Sequence, residues 1–94
     1  MNDEQVFQWD ASNIAHLARH DVLPAEAEAA ILDTQAILLE IQTEAEERVK
    51  AVGATLGGRI LVVVFTLRGE AIRAITAYGA PMSLQKLYLE GEHV

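Results

Sequence analysis

The chain has no cysteine. That excludes a disulfide framework, a cysteine-ligated zinc site and a thiol nucleophile. Cations are scarce too. Seven Lys and Arg stand against fourteen Asp and Glu, for a formal charge of −7. Broad nonspecific attachment to nucleic acid needs clustered Lys and Arg, so this balance argues against it. Long apolar runs are missing: the longest, Ile60 to Phe65, covers about one third of a membrane span. The opening MNDEQVFQWD is acidic and polar, which does not fit a secretory signal. Repeats, low-complexity tracts and linkers are absent as well. Together these absences predict one soluble, cytoplasmic domain over residues 1–94.

What is present is the balance of a folded protein: 51% hydrophobic and 22% charged residues. A chain this short buries only about 60–65% of its unfolded surface, so its stability margin is thin. Residues 6–9 alternate apolar and polar and suit a short edge strand. Asp10 stands where a helix N-cap would, and the first helix is predicted to run to His20. Ile14, Leu17 and Ala18 form one stripe of it, and Asn13, His16 and His20 another. Pro24 suits the first turn of a second helix that ends near Asp33, with Ala27, Ala30 and Ile31 towards the core. Strand patterns follow at 36–42, 47–54, 59–67 and 71–78. In the second of these, Arg48, Lys50 and Val52 share a face. The run ILVVVF is apolar on both faces and predicts a central strand covered on both sides. A last helix is predicted over 82–90, with Leu84, Leu87 and Tyr88 as its apolar stripe. The expected fold is α+β: two N-terminal helices, a four-stranded antiparallel meander and a closing helix.

FQWDASNIAHLARHDVLPAEAE, EERVKAVGATLGGRILVVVFTLRGEAIRAITA and QKLYLEG occur in that order over about residues 6–90. This set resembles the BrnT toxin family. The family reads roughly F-x-W-D-x-x-x-N-x-x-x-x-x-K-H-G-V-x-x-x-E, then an E-x-R strand, a Gly, a G-R-x-L-x-V-V-x-T strand and an R-x-I-x-A return strand. The resemblance implies a RelE-like ribonuclease fold and RNA cleavage without a metal or other cofactor. It also implies a toxin of a type II toxin–antitoxin pair. Its partner would be an antitoxin from the adjacent gene that binds DNA, represses the shared operon and masks the active surface. Several positions depart from the pattern. Arg19-His20-Asp21 replaces Lys-His-Gly, and Tyr78 stands where an Arg often follows the last strand's Ser/Thr-Ala. Pro81 to Gln85 replace a basic, Glu-containing helix start, leaving Lys86 from the basic run.

Metal-free cleavage needs a base for the 2′-hydroxyl, an acid for the leaving 5′-oxygen and a cation for the developing phosphorane charge. His20 and Glu47 are candidate proton carriers. Arg48 and Arg73 are candidate catalytic cations, since an Arg fork matches two phosphate oxygens and stays protonated. Arg19, Arg68, Tyr78 and Lys86 complete a candidate RNA-binding set. Each has a plainer alternative. His20 is either a proton carrier or a half-exposed side chain on a polar face. Glu47 and Arg48 are either functional or part of cross-strand ion pairs. Arg73, read as sharing a face with Ile75 and Ala77, is either catalytic or a structural partner of a carboxylate beneath a helix. Tyr78 either stacks on a base or packs under the last helix. Trp9 is expected to anchor the core. His16 and His20 make a poor metal pair, without the acid of H-E-x-x-H or a third ligand, and no metal is expected. The acidic run Glu44, Glu46 and Glu47 reads either as a solvated turn or as a contact for a basic antitoxin segment, and His93 is assigned nothing. A catalytically degenerate module that still binds an antitoxin-like partner is the second reading, motivated by the charge of −7. A homodimer is left open by either.

Overall fold

Eight elements build the chain in the computed structural model, which describes residues 5–42 and 47–91. They are β1 (Val6–Phe7), α1 (Ala11–Ala18), α2 (Pro24–Leu32), β2 (Ile37–Gln42), β3 (Glu47–Ala54), β4 (Ile60–Arg68), β5 (Ala71–Gly79) and α3 (Met82–Gly91). The strands form one sheet in the order β1-β5-β4-β3-β2. β2 to β5 are the expected antiparallel meander. The sheet nevertheless has five strands and is mixed, because β1 pairs parallel to β5 through Val6–Ala71 and Phe7–Ile72. Two residues with alternating pattern are too short to announce such a pairing locally; the partner that stabilises them lies about 65 positions on. Among the described residues, no helix is long and apolar enough to cross a membrane. The turn read at 43–46, with Glu44 and Glu46, and the tail with His93 lie outside the described residues.

Both faces of the sheet carry helices, as the apolar β4 run requires. On one face Leu17 of α1, Ala27 and Ala30 of α2 and Val22 between them pack on Leu61, Val63, Ala74 and Ala77, with Trp9 and Ile31 at the margin. On the other, Leu84 and Tyr88 of α3 cover Val52, Val62 and Val64. α2 lies so close to β3 that a Cβ on Gly53 would fall 2.0 Å from the Ala30 carbonyl oxygen. Asp33, just beyond α2, ties the two layers. Its Oδ2 accepts from the Ala54 N–H at 2.9 Å and from the Tyr88 hydroxyl at 2.5 Å. Burial pushes the Asp33 carboxyl up. The Tyr88, Gln35 and Ala54 donors outweigh that and hold it below the ordinary range.

α1 departs from expectation. It ends at Ala18, with Arg19 as C-cap, and the chain turns through Asp21 at φ 62°. This left-handed position is where the BrnT pattern has Gly, and Asp is among the few residues that tolerate it. The buried residues of α1 are Leu17 and Asn13, while Ile14 is exposed. Asn13 was read as part of a polar stripe with His16 and His20. Instead it accepts from the Asp10 N–H (2.8 Å) and donates to the Gln8 and Ala74 carbonyls (3.0 Å each). The Asp10 carboxylate returns the contact to the Ser12 and Asn13 N–H groups, closing a capping box.

Candidate nucleic-acid interface

Side chains alternate across a strand, so the register sorts the candidates by face. Val52, Val62 and Val64 face α3. Alternation then puts Lys50 and Arg48 of β3, and Thr66 and Arg68 of β4, on that same face. On β5 a register irregularity between Val64 and Phe65 leaves Ile75 without an opposite residue. Thr76 therefore opposes Val64, Arg73 opposes Thr66 and Tyr78 opposes Val62. This corrects the face assigned to Arg73: simple alternation groups it with Ala77, but the irregularity sends Ala77 to the α1 side and Arg73 to the α3 side.

α3 packs on the Val52–Val62–Val64 end of this face. The Arg48–Thr66–Arg73 row lies towards the other end. Adjacent strands are ~4.8 Å apart, so Arg48 and Arg73 flank Thr66 with roughly 10 Å between their backbones. Lys50, Arg68 and Thr76 border the row. Lys50, Thr66 and Thr76 were not singled out as site residues; the signal was the shared face of Arg48 and Lys50, extended across β4. The Thr66 hydroxyl donates to the Glu47 carbonyl at 2.9 Å and is nearly inaccessible.

Arg73 does have the carboxylate partner anticipated as an alternative. Its Nη1 donates to Asp10 Oδ2 (2.9 Å) and to Gln8 Oε1 (3.3 Å), and its Nη2 donates to Asp10 Oδ1 (3.3 Å). That hydrogen bond is the main reason the Asp10 carboxyl is held below the ordinary range, with the Asn13 N–H also contributing. The end-on side of the guanidinium is thus occupied. Among the described residues, the Arg73 Nε–H donates to no acceptor.

The other candidates are spread out. Glu47 precedes Arg48 in β3, so its side chain leaves on the opposite face, in line with Val49. With Val49, Thr66 and Leu67 it lines a cleft of about 280 Å³ at the end of the sheet. His20 lies just past α1, ten residues from Asp10, hence about 15 Å from the Arg73 clamp at 1.5 Å per residue. Its ring stands 6.1 Å from Tyr78 and 6.3 Å from His16. Arg59 fixes this corner, donating to the Asp21 carbonyl at 2.8 Å and the His20 carbonyl at 3.5 Å. Arg19 is exposed at the α1 C-cap and Lys86 is exposed on α3. Trp9 is half-buried and donates to Glu28 Oε2 at 2.7 Å. Among the described residues, no group of three or more His, Asp or Glu could hold a metal ion.

Arg48 and Arg73 are therefore brought to one face with Lys50 and Arg68. His20 joins Tyr78 at the far end of β5, and Glu47 points away. Such a face presents cations to a strand laid across it, and its candidates are not gathered around one bond. A comparison with curated proteins gave no match. The sequence model of the ribonuclease toxin BrnT, of type II toxin–antitoxin systems, matches residues 9–81, from Trp9 through the basic row to the start of α3. This chain belongs to the BrnT family of ribonuclease toxins of type II toxin–antitoxin systems.

Proposed function

We propose that this protein is a metal-independent endoribonuclease, neutralised by an antitoxin from the adjacent gene that binds its basic face and, separately, DNA. The observation that carries the reading is the pair Arg48 and Arg73 flanking Thr66 on one face of the sheet. In an acidic chain, a row of cations on one face is where a phosphate would be attracted. Asp10 holds the Arg73 guanidinium end-on and so fixes its position at the β5 end of the row. A scissile phosphate held by Arg73 and Arg48 has its equatorial oxygens neutralised as the 2′-oxygen attacks phosphorus and the P–O5′ bond breaks. The products are a 2′,3′-cyclic phosphate and a 5′-hydroxyl. Glu47 leaves on the opposite face of the sheet, so the protons at the two oxygens are exchanged with water on the Arg48–Arg73 face. Lys50 and Arg68 hold flanking phosphates, and Arg19 and Lys86 extend the cationic track.

The test is RNA cleavage by purified protein in EDTA, with end-group analysis. Arg48→Ala or Arg73→Ala should lower the rate at least tenfold, about 1.4 kcal/mol in the barrier. Intact RNA after prolonged incubation with folded protein overturns the reading. The carboxylate on Arg73 favours a second reading in that event: a module that binds the antitoxin without cleaving. It would co-purify with the neighbouring gene product and cause no growth arrest.

A further inference from the structure

We propose that His20 and Tyr78 form a nucleobase-stacking site at the open edge of β5, so that RNA is gripped as a single strand. The proposal rests on the ribonuclease reading and adds the substrate class. β1 pairs with Ala71 and Ile72, and among the described residues no strand covers the edge of β5 beyond them. α1 runs alongside, and its end brings the His20 ring to 6.1 Å from Tyr78 at an interplanar angle of 63°. Both rings sit on fixed supports. Tyr78 packs against the Val52, Val62 and Val64 cluster under α3. The His20 backbone is pinned by Arg59 and by the hydrogen bond from its N–H to the Leu17 carbonyl. Yet His20 is exposed and Tyr78 only half-buried, so an aromatic surface remains open to a ligand.

Tyr78 lies on the same face as Arg48, Lys50 and Arg73, five residues beyond Arg73 along β5. The extra residue at Ile75 reduces this to four register positions, Thr66 to Val62 on β4, so at ~3.3 Å each the separation is roughly 13 Å. A stacked strand rises about 3.4 Å per nucleotide, so about four nucleotides span the distance, and fewer in an extended strand. A backbone track of cations ending in an aromatic platform is the arrangement by which proteins hold single strands of any sequence. A duplex cannot use it, because its bases are stacked inside and its deep groove is closed to side chains.

The experiment uses the full chain and a 2′-O-methyl RNA strand, which resists 2′-hydroxyl chemistry, carrying 2-aminopurine. Binding to wild type should quench the fluorophore, and Tyr78→Phe should preserve the quenching. Tyr78→Leu keeps the apolar contact under α3 but removes the ring; it should abolish quenching and weaken affinity about five- to a hundredfold, the usual weight of one stacked base. The matching duplex should bind at least tenfold more weakly than the single strand. Quenching that survives Tyr78→Leu, or a duplex bound as tightly as the single strand, overturns the proposal. Should Tyr78→Leu not fold, exposed His20→Ala replaces it: unchanged affinity and quenching overturn the proposal, and a loss of at least fivefold supports it. Cleavage of the unmodified strand is followed separately. Quenching that survives Tyr78→Leu while wild type cleaves the unmodified strand argues against the stacking site alone. Quenching without any cleavage by wild type argues against the ribonuclease reading while supporting the site.

Discussion

Asn13 is the side chain on which the junction of β1, α1 and β5 turns, and replacing it gives the sharpest test of the fold around Arg73. It is 3% exposed and uses three hydrogen-bonding positions. Its orientation is unambiguous, since the oxygen faces an N–H and the nitrogen faces two carbonyls. Asn13→Ala strands the buried Ala74 carbonyl at a cost of about 1–3 kcal/mol, and loses two part-buried bonds worth about 0.5–1.5 kcal/mol each. We expect a total of roughly 2–6 kcal/mol. At about 4–8 °C per kcal/mol for a domain of this size, even the lower end of that range lowers Tm by roughly 8–16 °C. Asn13→Asp separates chemistry from shape. The isosteric carboxylate still accepts from Asp10 N–H but turns an oxygen towards two carbonyls. At pH 7 it should be at least as damaging as alanine. Its folded-state pKa is raised, because the protonated acid can donate to a carbonyl. Its deficit against wild type should therefore shrink as pH is lowered from 7 to 5. Thermal unfolding by circular dichroism at both pH values measures this. An alanine variant within 5 °C of wild type, or an aspartate variant as stable as wild type at pH 7, refutes the reasoning.

Gly53→Ala should also be costly. The new Cβ would meet the Ala30 carbonyl oxygen at 2.0 Å, and the offending atom is helix backbone, so α2 must shift by about 1 Å. Overpacking of this kind costs about 1–3 kcal/mol, and a loss in Tm below about 3 °C would contradict the close seat of α2 on β3. Acid should weaken the fold through Asp10 and Asp33, both held below their ordinary range. The stabilisation from each is complete above the unfolded carboxylate value near ~3.9 and is lost as pH falls through the lower folded value. In Asp10→Asn, a good N-cap is kept but the charge on Arg73 is lost, so the acid loss should be shallower than in wild type. Titration curves that superimpose would count against the Arg73–Asp10 clamp.

The elements that the sequence announced are those whose signal is local. Pro24 and the double-faced run in β4 need no distant partner to be read. The meander and the covering of both its faces follow from them. β1 was legible as an alternating fragment but not as a fifth strand, because its pairing with Ala71 and Ile72 comes from the other end of the chain. Asn13 was misplaced for a related reason. Helical periodicity grouped it with His16 and His20, while its three partners belong to β1, β5 and the N-cap. A buried amide is favourable only where such partners converge, and a one-dimensional pattern does not contain that convergence.

The site shows the same division. That Arg48 and Lys50 share a face is a period-2 statement and was readable. That Arg73 faces them was not, because one register irregularity beside Ile75 reverses the parity of everything before it on β5. Without that irregularity, Arg73 would point into the layer occupied by Leu17 and Ala27, and the row with Arg48 would not exist. The same shift lets Asp10 do two jobs from one position: its oxygens cap α1 and also grip the Arg73 guanidinium. The helix that leads into His20 is thereby anchored to the residue that would hold the phosphate. A change at either end of α1 should therefore be felt at the other through the seating of the helix on β5, although the two side chains stand about 15 Å apart.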